Sequence, residues 1–238
     1  MKITFLGTGV FDDETYLNTS ALLESKVNIL LDCGFTAPYQ LFRYKKNINF
    51  LDAIFITHHH GDHIFGLPAL LLSMLMGGRK KPITIIGQKS TKKYIEKICV
   101  LAFSPFKEMW KKGLFKFVEL KPEFNFKGLK FETVKTKHPL TNYSVKISDG
   151  KKSFYYSGDG AAIKSSKKLM QNCDLISHEC WNVNKKEEGH FSVKELLEHV
   201  KDINYKKLAV IHMANSERKK IPKRKDILAP KPMQSFRL

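Results

Sequence analysis

The chain has 238 residues, enough to bury a full core as one α/β domain, and its 42% apolar and 11% aromatic content excludes a disordered or fibrous polypeptide. Lysine and arginine outnumber aspartate and glutamate by 41 to 23, a formal charge of +18 that favours a polyanionic partner such as RNA, although a solvated lysine-rich surface carries the same signature. The four cysteines form no C-x-x-C pair and the amino terminus lacks a basic-then-apolar leader pattern, so reduced thiols and a cytoplasmic location are expected.

In chain order, residues 2–6, 20–24, a segment from Val27 and a segment ending at Thr57 read as strands bounded by turn-prone residues. A histidine cluster follows the fourth. Helical patterns cover residues 62–76 and 90–101; the apolar part of the first, residues 64–76, falls short of the roughly 20 residues of a membrane span. Residues 103–126 are dense in Phe and Lys, and the near-alternation of Phe115 and Phe117 points to core packing rather than to a platform for unpaired bases. Strand-like segments around Phe131, Val145 and Phe154 precede a helix at 161–170, and the chain then alternates strand, helix and strand up to His212. Residues 1–217 form the expected domain. Residues 218–238 are basic, hold Pro222, Pro230 and Pro232, and read as an extended or loosely packed tail. Strands grouped in each half with helices after them suit an α/β fold of two sheets packed face to face with helices outside.

The run Thr57-His58-His59-His60-Gly61-Asp62-His63 carries four metal-ligand candidates. In an extended segment His58 and His60 point to one side and can share an ion, while Asp62 and His63 open a helix and can reach a second. Gly61 is expected to permit a tight bend between the pairs. Imidazole and carboxylate donors suit catalytic zinc with an open position, and manganese or iron would accept the same set. His138, Asp159 and His212 each follow a strand-like segment, so one edge of the sandwich could gather them. His59 alternates away from both ions, His178 reads as packing behind the site, and Cys173 and Cys180 read as small buried apolar residues.

HxHxDH followed by a single His, a Gly-Asp and a final His resembles the metallo-β-lactamase superfamily. More narrowly, residues 56–74, ITHHHGDHIFGLPALLLSM, are similar to the ribonuclease Z branch, as are KITFLGTG, LLDCG, YSGDG, SHEC, GHFS and VIHMAN. That resemblance implies a four-layer αββα sandwich and two zinc ions, one held by His58, His60 and His138, the other by Asp62, His63 and His212, with Asp159 bridging. Two such ions lower the pKa of shared water toward about 7, so that metal-bound hydroxide could attack phosphorus, with Asp62 accepting the proton. Glu179 and His190 match the positions of a Glu–His pair that assists the leaving group, although the residues flanking both differ from the family pattern. The resemblance also implies a homodimer.

One departure bears on substrate. Residues 139–158 leave no room for the long arm with which ribonuclease Z grips tRNA. Either Lys164, Lys167, Lys168 and the basic run from Arg218 to Lys225 replace it, or the substrate is smaller. The leading reading is an endoribonuclease acting on tRNA 3′ ends or other structured RNA. The alternative is a phosphodiesterase of small molecules, such as cyclic nucleotides or phosphonate-pathway esters, and a third reading is a non-catalytic RNA-binding module.

Overall fold

A computed structural model describes residues 1–111 and 113–238. The first sheet holds β1 (Lys2–Gly7), β2 (Ser20–Glu24), β3 (Asn28–Leu31), β4 (Ala53–Phe55), β5 (Ile83–Gly87) and β6 (Phe115–Glu119), in that spatial order. The second runs β7 (Glu123–Phe126), β8 (Leu129–Lys135), β9 (Tyr143–Ser148), β10 (Ser153–Tyr156), β11 (Cys173–Glu179) and β12 (Tyr205–Ile211). Each sheet is antiparallel on one side and parallel on the other: β3 to β6 run together, and so do β10 to β12.

Three apolar layers follow from the period-two alternation of the strands. Ile3, Leu23, Phe55 and Ile86 from one sheet meet Phe131, Ile147, Tyr156 and Ile211 from the other. The opposite face of the first sheet, with Leu22, Ile54 and Ile85, is covered by α1 (Ala37–Tyr44), α3 (Leu67–Met76), α4 (Thr91–Ala102) and α5 (Phe106–Trp110). Tyr155, Ile176 and Val210 on the outer face of the second sheet pack against α6 (Lys164–Met170) and α7 (Val193–Val200). The result is the expected αββα sandwich. Its inner parallel strands, β3 to β5, β10 and β11, are almost wholly buried on both faces, which is why most of them read as continuous apolar runs.

Several expectations are corrected. The helix foreseen over residues 62–76 is two pieces, α2 (Gly61–Ile64) and α3, broken where the Gly66 N–H turns to donate to the Cys33 carbonyl at 2.9 Å. Pro68 stands in the first turn of the second piece, where its missing N–H costs no helical bond. The tail does not pack loosely: β13 (Ile227–Leu228) pairs with β12 and β14 (Ser235–Arg237) with β1, so it closes an edge of each sheet. In the aromatic stretch Phe106 is fully buried, and the Trp110 ring lies 4.6 Å from Phe115 and 5.7 Å from Phe117, which makes this packing on the first sheet's helical side. All four cysteines are buried and free. Among the described residues no helix is long and apolar enough to cross a membrane.

Candidate metal centre

The carboxyl ends of β4, β8, β10 and β12 reach one edge of the sandwich, and the candidate ligands lie just beyond them, with Glu179 ending β11. One backbone bond ties the sheets together there, and one side chain fixes the loop that carries Asp159. Tyr143 N–H donates to the Thr57 carbonyl at 3.1 Å, and the Asn142 amide donates to the Ser157 carbonyl at 2.9 Å while its oxygen accepts from Asp159 N–H at 3.2 Å. Gly158 has φ +65°, and a Cβ there would stand 2.4 Å from Asn142 Oδ1, so only glycine lets Asp159 approach this closely. Gly61, by contrast, has no positive φ; a Cβ would meet the Phe65 ring at 2.9 Å, so the constraint is crowding rather than the bend expected.

In one cluster His58 Nε2 and His138 Nε2 each stand 3.1 Å from His60 Nδ1, with Asp159 Oδ2 3.6 Å from His138 Nε2. A single proton can bridge only one of those two nitrogen contacts, whereas a cation could satisfy all three rings. The Thr57 hydroxyl has its proton committed to Asp32, so it accepts from His58 Nδ1 at 3.0 Å and leaves His58 Nε2 free to face the cluster. Burial holds His58 and His60 below the usual histidine range and takes His138 down to about 4 against the pull of Asp159, so these rings are neutral at pH 7.

In the second cluster Asp62 Oδ2 lies 3.3 Å from His212 Nε2 and 3.5 Å from His63 Nε2. Asp159 Oδ1 is 3.6 Å from His212 Nδ1, so this carboxylate stands between the clusters. His63 Nδ1 donates to Asp32 Oδ2 at 2.8 Å, and Asp32 also accepts from the Thr57 N–H and hydroxyl and from the Tyr156 hydroxyl. Burial would lower His63, but the charge of Asp32, its hydrogen bond, and Asp62 and Asp159 outweigh it and take the ring to about 9. Burial would likewise raise Asp62, yet His212 and His63 pull it to about 2.

A metal fits both clusters. His63 Nε2 is buried without a hydrogen-bond partner while its other nitrogen is committed to Asp32, an arrangement that a metal ion would complete. Within the set His58, His60, His138 and Asp159, and separately within the set Asp62, His63 and His212, one ligand atom from each residue lies within 4.8 Å of the others.

Glu179 and His190 sit together beside Asp159. His190 Nδ1 is 3.0 Å from Asp159 Oδ1 and 3.5 Å from Glu179 Oε2, and Glu179 Oε1 accepts from Phe191 N–H at 2.9 Å. Burial alone would lower His190, but the two carboxylates raise it to about 10, so it carries a proton at neutral pH. Trp181, part of this chain's departure from the family pattern, places its ring 5.0 Å from His190 and 6.0 Å from His212. Ser192 caps α7 in a capping box with Glu195, which fixes the approach of His190. A recess of about 510 Å³, lined in part by His190, Lys137, Ile163, Lys186 and Phe191, opens beside the pair.

The structure thus brings all nine residues singled out by sequence to one edge. His59 turns away, its Nε2 2.9 Å from Thr91 Oγ1 and its ring stacked on Tyr94, and His178 is buried with its Nδ1 on the Glu179 carbonyl. Asp32, Asn142 and Trp181 were not singled out; LLDCG, the segment holding Asp32, was the available signal.

Comparison with known proteins agrees with this architecture. Ribonuclease Z of Saccharolobus solfataricus is 32% identical over 151 residues, 63% of this chain and 49% of that protein, and the chain spans half the length or less of the curated relatives it matches. Human tRNase Z, short form, superposes over 100% of this chain and 99% of its own with TM-score 0.81 and 21% identity. The metallo-β-lactamase fold protein YhfI from Bacillus subtilis does so over 99% and 98% with TM-score 0.78 and 21% identity. A family described as Anti-Pycsar protein Apyc1 matches residues 1–229. With that match running from β1 into the tail, on a metallo-β-lactamase fold of the ribonuclease Z-like branch, the chain belongs to the Anti-Pycsar protein Apyc1 family.

Proposed function

We propose that the protein is a phosphodiesterase working with two divalent metal ions, one held by His58, His60 and His138, the other by Asp62, His63 and His212, with Asp159 between them. The observation that carries this is the placement of Asp159 against both clusters, 3.6 Å from His138 Nε2 and 3.6 Å from His212 Nδ1, with His190 Nδ1 3.0 Å from the same carboxylate. Nitrogen and oxygen donors suit zinc, and manganese or iron would be accepted. When bound, such a pair supplies Lewis acidity that activates water and offsets charge on phosphoryl oxygens. Asp62, partly accessible, orients the nucleophile and takes its proton. His190 holds a proton on the recess side for the departing alkoxide, and Glu179, fully buried, keeps the imidazole charged and aimed. Residues 1–217 carry this machinery and 218–238 close the sheet edges.

Two substrate classes have support. Curated relatives are named ribonuclease Z or ribonuclease BN, which favours RNA, tRNA 3′ ends or another structured RNA, bound through the basic surface. That surface is thinner than expected: Arg218 is buried, Lys220 pairs with Glu217, and Arg224 with Asp226 at 2.8 Å. The second reading, a small diester such as a cyclic nucleotide or phosphonate-pathway ester, rests on residues 139–158, which fold mainly as the β9–β10 hairpin and supply no arm. A substrate no larger than the recess beside His190 needs none. A cytoplasmic homodimer accords with both readings, and exposed Phe11, Phe35, Tyr39 and Phe65 offer an apolar face for the second subunit.

The test is incubation of purified protein with precursor tRNA beside cyclic and linear diesters. Cleavage of the RNA with steep salt dependence selects the first class and turnover of small diesters alone the second. RNA binding without turnover of anything would leave only a binding module.

A further inference from the structure

Arg218, at the end of α8 (Asn215–Arg218), is 7% exposed and makes no ion pair with a carboxylate among the described residues. Its Nη2 donates to the Thr8 carbonyl and, at 2.8 Å, to the Thr8 hydroxyl, while Nη1 reaches the Pro230 carbonyl at 3.4 Å. The guanidinium carbon lies 3.9 Å from the centre of the Tyr16 ring. Taking a guanidinium out of water without an anion is costly, and a cation–π contact returns only part of that. The position is therefore informative about what the charge holds in place.

What it holds is the Thr8 carbonyl, which also accepts the backbone N–H of His212 at 2.8 Å. His212 follows β12 with φ +50°, a left-handed conformation that is strained for a non-glycine residue and persists only where the surroundings enforce it. The Thr8 hydroxyl donates to Pro230 at 2.9 Å and Thr8 N–H to the Tyr16 carbonyl at 2.8 Å, so one guanidinium ties the β1–β2 loop, the His212 turn and the tail together.

We infer that Arg218 is a positioning residue for the second metal cluster: by fixing the Thr8 carbonyl it holds the His212 backbone in the conformation that turns the imidazole toward Asp62. This rests on the reading of His212 as a metal ligand. Lysine cannot replace it, because one ammonium lacks the planar fork that engages two backbone carbonyls while stacking on a ring.

Chelator-stripped protein is titrated with cobalt(II), following the visible spectrum of each equivalent, for the natural chain and for Arg218→Lys. The expected result is an unchanged first equivalent and a second one weakened about 10- to 100-fold, the scale on which misplaced supporting residues act. A lower melting temperature with both equivalents unchanged would show Arg218 to be only a structural strut and overturn the inference. If Arg218→Lys does not fold, Thr8→Val, which keeps the carbonyl but removes one guanidinium acceptor, is expected to weaken the second equivalent several-fold, and no change overturns the inference. Binding of fewer than two ions by the natural chain would instead remove the metal reading itself.

Discussion

In the first cluster three neutral imidazoles face one another at 3.1 Å contacts under the control of burial, whereas the second is built around charge, with Asp32 holding a proton on His63 and Asp62 drawn to about 2. The first needs no proton to leave before an ion binds. The second must release the His63 proton, so its affinity depends on pH below about 9. Similar residue types thus make a preformed site and a gated one a few ångströms apart, sharing Asp159.

The strongest challenge to that contrast is Asp159→Ala, which removes the shared carboxylate. Diester hydrolysis should fall by at least about 10³-fold, with elemental analysis showing fewer ions bound, and a variant that keeps both ions and its turnover would dissolve the idea of a shared centre. Next in size is His190→Ala. Turnover of diesters with poor leaving groups should drop about 10²-fold while nitrophenyl esters are nearly spared; equal losses on both would remove the leaving-group role.

Asp32→Asn acts chiefly on the second cluster, because it removes the charge that orients His63. The second ion should bind roughly 10- to 100-fold more weakly, whereas calorimetry showing both affinities unchanged would mean Asp32 serves only the fold. The smallest effect concerns chelated protein without substrate. His63 and His190, raised to about 9 and about 10, contribute stability that is complete below pH 6.5 and lost as pH rises through those values. His138, lowered to about 4, works the other way: stability is lost as pH falls from 6.5 toward 4. Thermal melts should therefore peak near pH 6.5, and a melting temperature rising steadily from pH 6.5 to 9 would contradict the assigned charges.

HxHxDH made two ligands of each cluster legible from sequence, His58 and His60 in the first and Asp62 and His63 in the second, because four donors in one short run are chemically specific. His138, Asp159, Glu179, His190 and His212 were legible through family motifs at strand ends. Asp32 was not, because one aspartate after a strand looks like a turn residue until β3 and β4 pair in parallel and set it beside Thr57 and His63. Nor were α1 and β5. The first is eight residues with a proline near its start, and ITIIG is too short for periodicity to separate strand from helix. The tail's strands arise from pairing with sheet edges left open by β1 and β12, a tertiary cause that Ile227 and Phe236 alone do not announce. Arg218 looked like surface charge because burial of a guanidinium has no sequence mark.

Metal restored stepwise to chelated protein, with hydrolysis of bis(p-nitrophenyl) phosphate followed at each step, decides whether the two clusters act as one centre. Turnover is expected to be absent without metal and to reach full rate only as the second equivalent per chain is bound, with that second step weakening as pH falls. Full turnover in the chelated protein, or saturation at a single equivalent, would contradict a two-metal centre.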